Sequence, residues 1–218
     1  MVQQQAGVTL FDLDGVLTRH DTMAALIVQR LKQKPLRILG VLPLFVIAAI
    51  AGARRGVAAK ANRLAVRLTF AGLAEQEYRA LAATEGQRMA TRSGFIREGL
   101  IELCRERQKS SRVVIVTASE VHLVEAFLTA CGLSNIELIA SHLDFSTRVP
   151  RVKLHNVGSQ KIRSLRMAGV LIENATFYTD SASDLPLALV AARTVIVHPS
   201  KRSRRLLLAA LPGAQLIE

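Results

Sequence analysis

Short apolar runs and longer mixed stretches take turns along this chain. Runs rich in β-branched and aromatic residues recur at Val8–Phe11, Val113–Val116, Ile136–Ala140, Phe177–Thr179 and Val195–Val197. Each is brief and apolar, the signature of strands buried on both faces. The stretches between the later runs carry helical punctuation. Ser119 reads as the cap of a helix running to Cys131 with Gly132 as its stop, and a second helix spans about Ser159 to Ala168, ended by Gly169. Strands alternating with helices predict an α/β fold, a Rossmann-like doubly wound parallel sheet covered on both faces. Ligands in such sheets bind beyond the carboxyl ends of the strands. Residues 19–93 interrupt the alternation and look mostly helical. They are expected to form a cap inserted into a core made of residues 1–18 and 94–218.

Inside the cap, Ile38 to Ala53 runs without a charge (ILGVLPLFVIAAIAGA). As a straight helix it would span about 24 Å, short of the roughly 30 Å hydrocarbon core of a bilayer. Pro43 would kink it or mark its first turn. Two readings stand: a helix lying in or entering a membrane surface, and a helix buried within the cap. Charge bears on the choice. The formal net charge is +12, and no acid lies between Asp21 and Glu75, where Arg30, Lys32, Lys34, Arg37, Arg54, Arg55, Lys60, Arg63 and Arg67 fall. A smaller basic knot, Lys201, Arg202, Arg204 and Arg205, follows near the C-terminus, as a second membrane contact or a solubilising tail. Such asymmetry points to an anionic partner, whether nucleic acid, anionic membrane or acidic substrate. Without Trp, and with few other aromatics, a base-stacking platform is poorly supported and no nucleic acid is expected. Arg63 and Arg67, one helical turn apart, either reach a lipid phosphodiester or form a solvated face.

Other residues change the picture less. Cys104 and Cys131 fit no metal spacing and read as buried thiols in a reducing compartment. His20, His122, His142, His155 and His198 show no ligand spacing. The start, MVQQQAG, lacks the positive region of a cleaved signal peptide, and none is expected.

The densest chemistry sits in FDLDGVLT, Phe11 to Thr18. If extended geometry continues past the first strand, Asp12 and Asp14 share a face and address one point. Like charges so close call for a cation or a proton, hence a metal site or an acid/base pair. Gly15 would let a ligand approach the backbone. The alternative is a plain turn, since Asp and Gly are ordinary turn residues. Three further segments follow: VVIVTAS with Thr117 at a strand end, GSQKIRSL with Lys161 near a helix start, and FYTDSASDLP with Asp180 and Asp184. Asp12, Thr117 and Asp180 each close an apolar run, so a parallel sheet would bring them to one crevice.

These four segments, in this order, resemble the haloacid dehalogenase superfamily of phosphohydrolases. The inserted stretch RLKQKPLRILGVLPLFVIAAIAGARRGVAAKANRLAVRLTF is similar to the corresponding region of the bacterial phosphatidylglycerophosphatase C family, with its basic stretch, Leu-Pro-Leu-containing apolar run and further basic stretch. Val16 departs from the commoner threonine of the first motif. The resemblance implies a Mg²⁺-dependent phosphatase in which Asp12 is the nucleophile and forms an aspartyl-phosphate, and Asp14 is the general acid and base. It implies Mg²⁺ held by the Asp12 carboxylate, the Asp14 backbone carbonyl and Asp180. Asp184 would support the metal's waters or Lys161. Phosphate oxygens would be held by Thr117, the Ala118 N–H and Lys161. Ser183 would add a hydrogen bond or cap a helix. The implied substrate is phosphatidylglycerophosphate, at the cytoplasmic face of the bacterial inner membrane. Two alternatives are a cytoplasmic phosphatase of a soluble metabolite such as phosphoserine, and a non-catalytic protein that holds membrane or nucleic acid on its basic cap.

Overall fold

The computed structural model describes residues 7–50 and 55–218. Seven strands form one sheet: β1 (Val8–Phe11), β2 (Val113–Glu120), β3 (Glu137–Asp144), β4 (Arg151–Leu154), β5 (Ala175–Thr179), β6 (Arg193–Val197) and β7 (Gln215–Ile217). Their order is β4-β3-β2-β1-β5-β6-β7, and every pair is parallel except β3 with β4. The five expected strands are all present. The two edge strands were not read from the sequence, because neither carries an apolar run: β4 is only half-buried on alternate residues, and β7 has three residues.

Central position follows from composition. Leu10 and Phe11 of β1 are fully buried, one on each face. Phe11, Ile115, Tyr178 and Val197 build one core layer, while Leu10, Val114, Val116 and Phe177 build the other. Both faces are therefore covered by helices, as a parallel sheet requires. The helices are α1 (Thr22–Gln33), α2 (Ile38–Ile50), α3 (Arg55–Phe70), α4 (Glu75–Thr91), α5 (Glu98–Gln108), α6 (Val121–Ala130), α7 (Ser159–Met167), α8 (Leu185–Ala188) and α9 (Lys201–Ala210). Register aligns Phe11 with Ile115 and with Tyr178, so β1, β2 and β5 reach the same rim together.

Ser119 does not cap α6. Strand β2 runs on through it to Glu120, whose Oε2 accepts from the N–H groups of His122 (3.0 Å) and Leu123 (3.4 Å). The seryl hydroxyl is thereby released for another task. Cys104 and Cys131 are free thiols, and burial pushes them up to about 12 and about 11.

The segment between β1 and β2 leaves and returns at one place. Thr18 bridges Ile96, Arg19 N–H donates to Phe95 O (2.8 Å) and Arg97 N–H donates to Leu17 O (2.8 Å). Helix α4 lies directly on α6. Tyr78, Ala82 and Met89 pack with Leu123, Val124 and Phe127, and a Cβ on Gly86 would fall 2.7 Å from the Phe127 nitrogen. Helix α2 behaves differently: Val41 is its single buried residue, while Leu39 is 79% exposed and Ile50 83%. It is not a helix buried within the cap. No single described helix is long and apolar enough to cross a membrane, and α1 is bent by 117° from the Pro35–Ile50 segment that follows. The last part of the apolar run, residues 51–53, and Arg54 lie outside the described residues, as does the Arg55 side chain. Two of the remaining basic residues are structural straps. The Arg37 guanidinium donates to the carbonyls of Leu68 (2.9 Å), Thr69 (2.9 Å) and Ala71 (2.6 Å), ending α3, and Arg67 Nε donates to Pro150 O (2.9 Å).

The α4–α6 contact makes a prediction. Gly86→Ala forces the helices apart at backbone contact, so it should destabilise by about 1–3 kcal/mol. A thermal melt several degrees below wild type is expected; an unchanged melt would show that the two helices separate freely.

Candidate active site

Strand β1 ends at Phe11. Asp12 caps the turn Leu13–Leu17, its Oδ1 accepting from Leu13 N–H (2.8 Å), and inside that turn Gly15 takes φ +80°. Asp12 and Asp14 both line one crevice, in line with the sequence expectation that they address one point, but they stand in the turn beyond β1 and not within a strand. The turn aims them at different partners on one crevice of about 320 Å³. The residues named from sequence, Asp12, Asp14, Thr117, Ala118, Lys161, Asp180, Ser183 and Asp184, all line that crevice.

Its centre is a buried cation between two acids. Lys161 Nζ lies 3.0 Å from Asp12 Oδ1 and 2.8 Å from Asp184 Oδ2, and Thr179 Oγ1 also donates to Asp184 Oδ2 (3.1 Å). Lys161 is 2% exposed. Burial works against its charge, but Asp12 and Asp184 outweigh that and hold its pKa above the ordinary lysine value. Asp12 is raised well above the usual carboxylate range by burial; Lys161 pulls it down, and Asp184 and Asp14 push it up.

Asp14 faces the cap instead. Its Oδ1 accepts from Thr22 N–H (2.8 Å), its Oδ2 accepts from Ser119 Oγ (2.7 Å), and the two hydroxyls of Thr22 and Ser119 share a 2.8 Å hydrogen bond. Thr22 opens α1 and Ser119 is the penultimate residue of β2, so this triangle joins the insertion to the sheet at the acid. Burial and then Asp21 raise Asp14 to about 6, against the lowering effect of its two donors. Thr22 and Ser119 were missed as site residues. Ser119 read as a helix cap and Thr22 was not singled out, and nothing local distinguishes a capping hydroxyl from one that binds an acid.

Thr117 is buried, its Oγ1 accepting from Ser119 N–H (3.0 Å). Asn156, also missed, lies buried beneath: its Nδ2 donates to the carbonyls of Thr117 (3.1 Å) and Ile139 (3.0 Å), tying β2 to β3. Ser183 is exposed and bonds Ser181 Oγ (3.0 Å); the cap of the turn Ala182–Asp184 is Ser181, not Ser183. His20 is exposed at the crevice mouth against Phe95.

A hard cation fits this donor set. The acids are oxygen donors only, burial followed by Asp184 raises Asp180 to about 6, and one oxygen of Asp184, Oδ1, is buried without a partner. Asp180 also rests against the motif turn: a Cβ on Gly15 would fall 2.2 Å from its Oδ2. No three His, Cys, Asp or Glu residues gather as a ready cage among the described residues. Mg²⁺ does not need one, since it keeps several waters and takes one or two carboxylates. Asp12 and Asp180 would serve, with Asp184 Oδ1 a further oxygen nearby, whereas both oxygens of Asp14 are engaged by Thr22 and Ser119.

A pH dependence follows. Asp14 and Asp180 titrate near 6 when folded, against an ordinary value of 3.8. The folded state binds their protons more tightly than the unfolded chain. Their contribution to stability therefore falls as pH rises from about 4 to about 6 and is level above that window. In EDTA, the melting temperature of Asp180→Asn should gain on wild type across that window. A difference that stays constant with pH, or shrinks, contradicts the assignment.

Known structures share this fold. A protein of unknown function from Bordetella pertussis Tohama I superposes with TM-score 0.75 at 20% identity, over 99% of each chain. A HAD family hydrolase from Salmonella enterica subsp. enterica serovar Typhi gives 0.66 at 12% identity, covering 95% of this chain and 71% of that one. A substrate-bound phosphoserine phosphatase complex gives 0.62 at 13%, covering 99% and 94%. Likeness at such identities establishes the fold. The sequence goes further, because residues 9–189, from the first strand to beyond the last crevice acid, match a single family: the chain belongs to the haloacid dehalogenase-like hydrolases.

Proposed function

We propose that this hydrolase cleaves phosphate monoesters through a phosphoryl-Asp12 intermediate. We further propose that its substrate is phosphatidylglycerophosphate, from which it releases phosphatidylglycerol in phospholipid synthesis. The observation that carries the chemistry is Asp12 paired at 3.0 Å with a buried Lys161, on the floor of a crevice that also holds a separately anchored acid.

Asp12 attacks phosphorus, and the bond from phosphorus to the leaving oxygen breaks. Asp14, raised to about 6, gives its proton to that oxygen. Water then attacks phosphorus, Asp14 takes the water's proton, and the bond to Asp12 breaks to free inorganic phosphate. Lys161 offsets charge on the phosphoryl oxygens, with the Thr117 hydroxyl, the Ala118 N–H and Ser183 as hydrogen-bond donors. Asp184 and Thr179 hold Lys161 from behind. Mg²⁺ bound by Asp12 and Asp180, with the Asp14 carbonyl, would neutralise the carboxylate and the phosphate so that one anion can approach the other.

The lipid assignment draws support from α2 and from the likeness of the insertion to phosphatidylglycerophosphatases C. Leu36, Leu39, Leu42, Val46, Ile47 and Ile50 are exposed, and Lys32, Lys34 and Lys60 stand exposed on the flanks. An apolar face with a basic surround fits the interface of an anionic leaflet. The proposed location is the cytoplasmic face of a bacterial inner membrane. A second reading, a soluble substrate such as phosphoserine, draws on the fold likeness to phosphoserine phosphatase.

Phosphate release from phosphatidylglycerophosphate in mixed micelles and from phosphoserine, with and without EDTA, decides between them. The lipid should turn over faster, EDTA should stop both, and Mg²⁺ should restore activity where Ca²⁺ does not. Asp12→Asn should lose about three orders of magnitude in kcat while keeping its melt. Full activity in that variant refutes the covalent route.

The α2 face yields a separate expectation. Leu39→Glu with Ile50→Glu should reduce co-sedimentation with anionic vesicles and slow lipid turnover, leaving an aryl phosphate in solution unaffected. Equal vesicle binding by variant and wild type removes α2 from the interface.

A further inference from the structure

Three cavities lie end to end on the cap side of the crevice. The crevice shares Ala118 and Val157 with a second cavity of about 370 Å³ between α3 and the β3–β4 hairpin. Its walls are largely apolar, with Met23, Val66, Leu143 and Leu154 among them. That chamber in turn shares Arg63 and Val152 with an open cleft whose other walls include Lys60, Arg67 and Arg151. No acid among the described residues lines the cleft. Polarity thus changes twice across the three adjoining cavities, from acid-lined crevice to apolar chamber to cationic cleft.

Arg63 stands at the second junction. Arg67 is tied to Pro150 O through Nε, whereas Arg63 is exposed and has no ion-pair partner among the described residues. Two titratable groups share the chamber wall with it. Glu120 is 2% exposed and bonded to the Tyr78 hydroxyl at 2.9 Å, and burial raises its pKa. His155 is lowered by burial and by Arg63 itself. Arg63 is the cation that lines both the chamber and the cleft, so it stands where a ligand reaching the far end of the chamber would meet it.

We infer that the chamber receives the alcohol portion of the phosphomonoester, and that Arg63 is a specificity-determining residue that binds a second anionic group carried by that alcohol beyond an apolar segment. The inference rests on the phosphatase reading of the crevice and adds the class of leaving group. The second group is a phosphodiester, phosphonate or carboxylate, any of which a guanidinium binds by charge-assisted hydrogen bonds. Such an anchor lies outside the reacting atoms, so it acts on KM and not on kcat.

Paired soluble substrates test it: propyl and hexyl phosphate, and the same two chains ending in a phosphonate. Wild type should prefer the phosphonate-ended member of a pair by about ten-fold or more in kcat/KM, through KM. Arg63→Ala should erase the preference, with unchanged kcat on propyl phosphate and an unchanged melt. Arg63→Lys should restore part of it. A parallel arm with phosphatidylglycerophosphate in mixed micelles identifies the source of the anion. Loss of affinity confined to the lipid points to a headgroup diester, and loss in both arms points to any bis-anion of suitable length; either supports Arg63. Turnover of the plain esters with no phosphonate preference, and with lipid KM unaffected by Arg63→Ala, overturns the inference alone. No turnover of any ester removes the phosphatase reading and this inference together.

Discussion

Lys161 between Asp12 and Asp184 is the contact on which the rest of the site depends. Four acids reach one rim of the sheet, and burial raises three of them, Asp12, Asp14 and Asp180, above their ordinary titration range. Removing charge from water at that depth costs several kcal/mol per ion unless an opposite charge comes with it. The lysine supplies part of that compensation, and a divalent cation would supply more.

The Asp14 triangle extends this logic to the cap. Thr22 N–H and Ser119 Oγ hold the two oxygens of Asp14, so the first turn of α1 and the last residues of β2 are registered against each other through the acid itself. Any shift of α1 away from the sheet strips Asp14 of a donor that lowers its pKa and makes it a stronger base. The proposed general acid and base is thus sensitive to cap position. The tight α4–α6 contact at Gly86 holds the rear of the insertion while its front carries the chemistry.

A division of labour runs through the basic insertion. Arg37 and Arg67 serve the fold by binding carbonyl groups, and Arg63 remains available where the apolar chamber meets the cationic cleft. A count of positive charges cannot separate these uses. Only the position of each guanidinium relative to helix ends and hairpin carbonyls does so.

The sequence by itself determined the parallel α/β core and the crevice residues. Buried strands write themselves as apolar runs, and each of Asp12, Thr117 and Asp180 closes such a run. It was silent on β4 and β7, since edge strands half open to water carry no such run. It also misassigned Ser119, because a hydroxyl ahead of a helix looks the same whether it caps that helix or binds an acid a hundred residues away. Tertiary structure alone decided that Asp12 pairs with Lys161 while Asp14 is held by Thr22 and Ser119, and that Thr22 and Asn156 support the site. It also showed α2 turning an apolar face outward. The reason is physical: the partners in these contacts are remote in sequence, and local pattern records a residue's own burial and conformation, not which distant group will meet it.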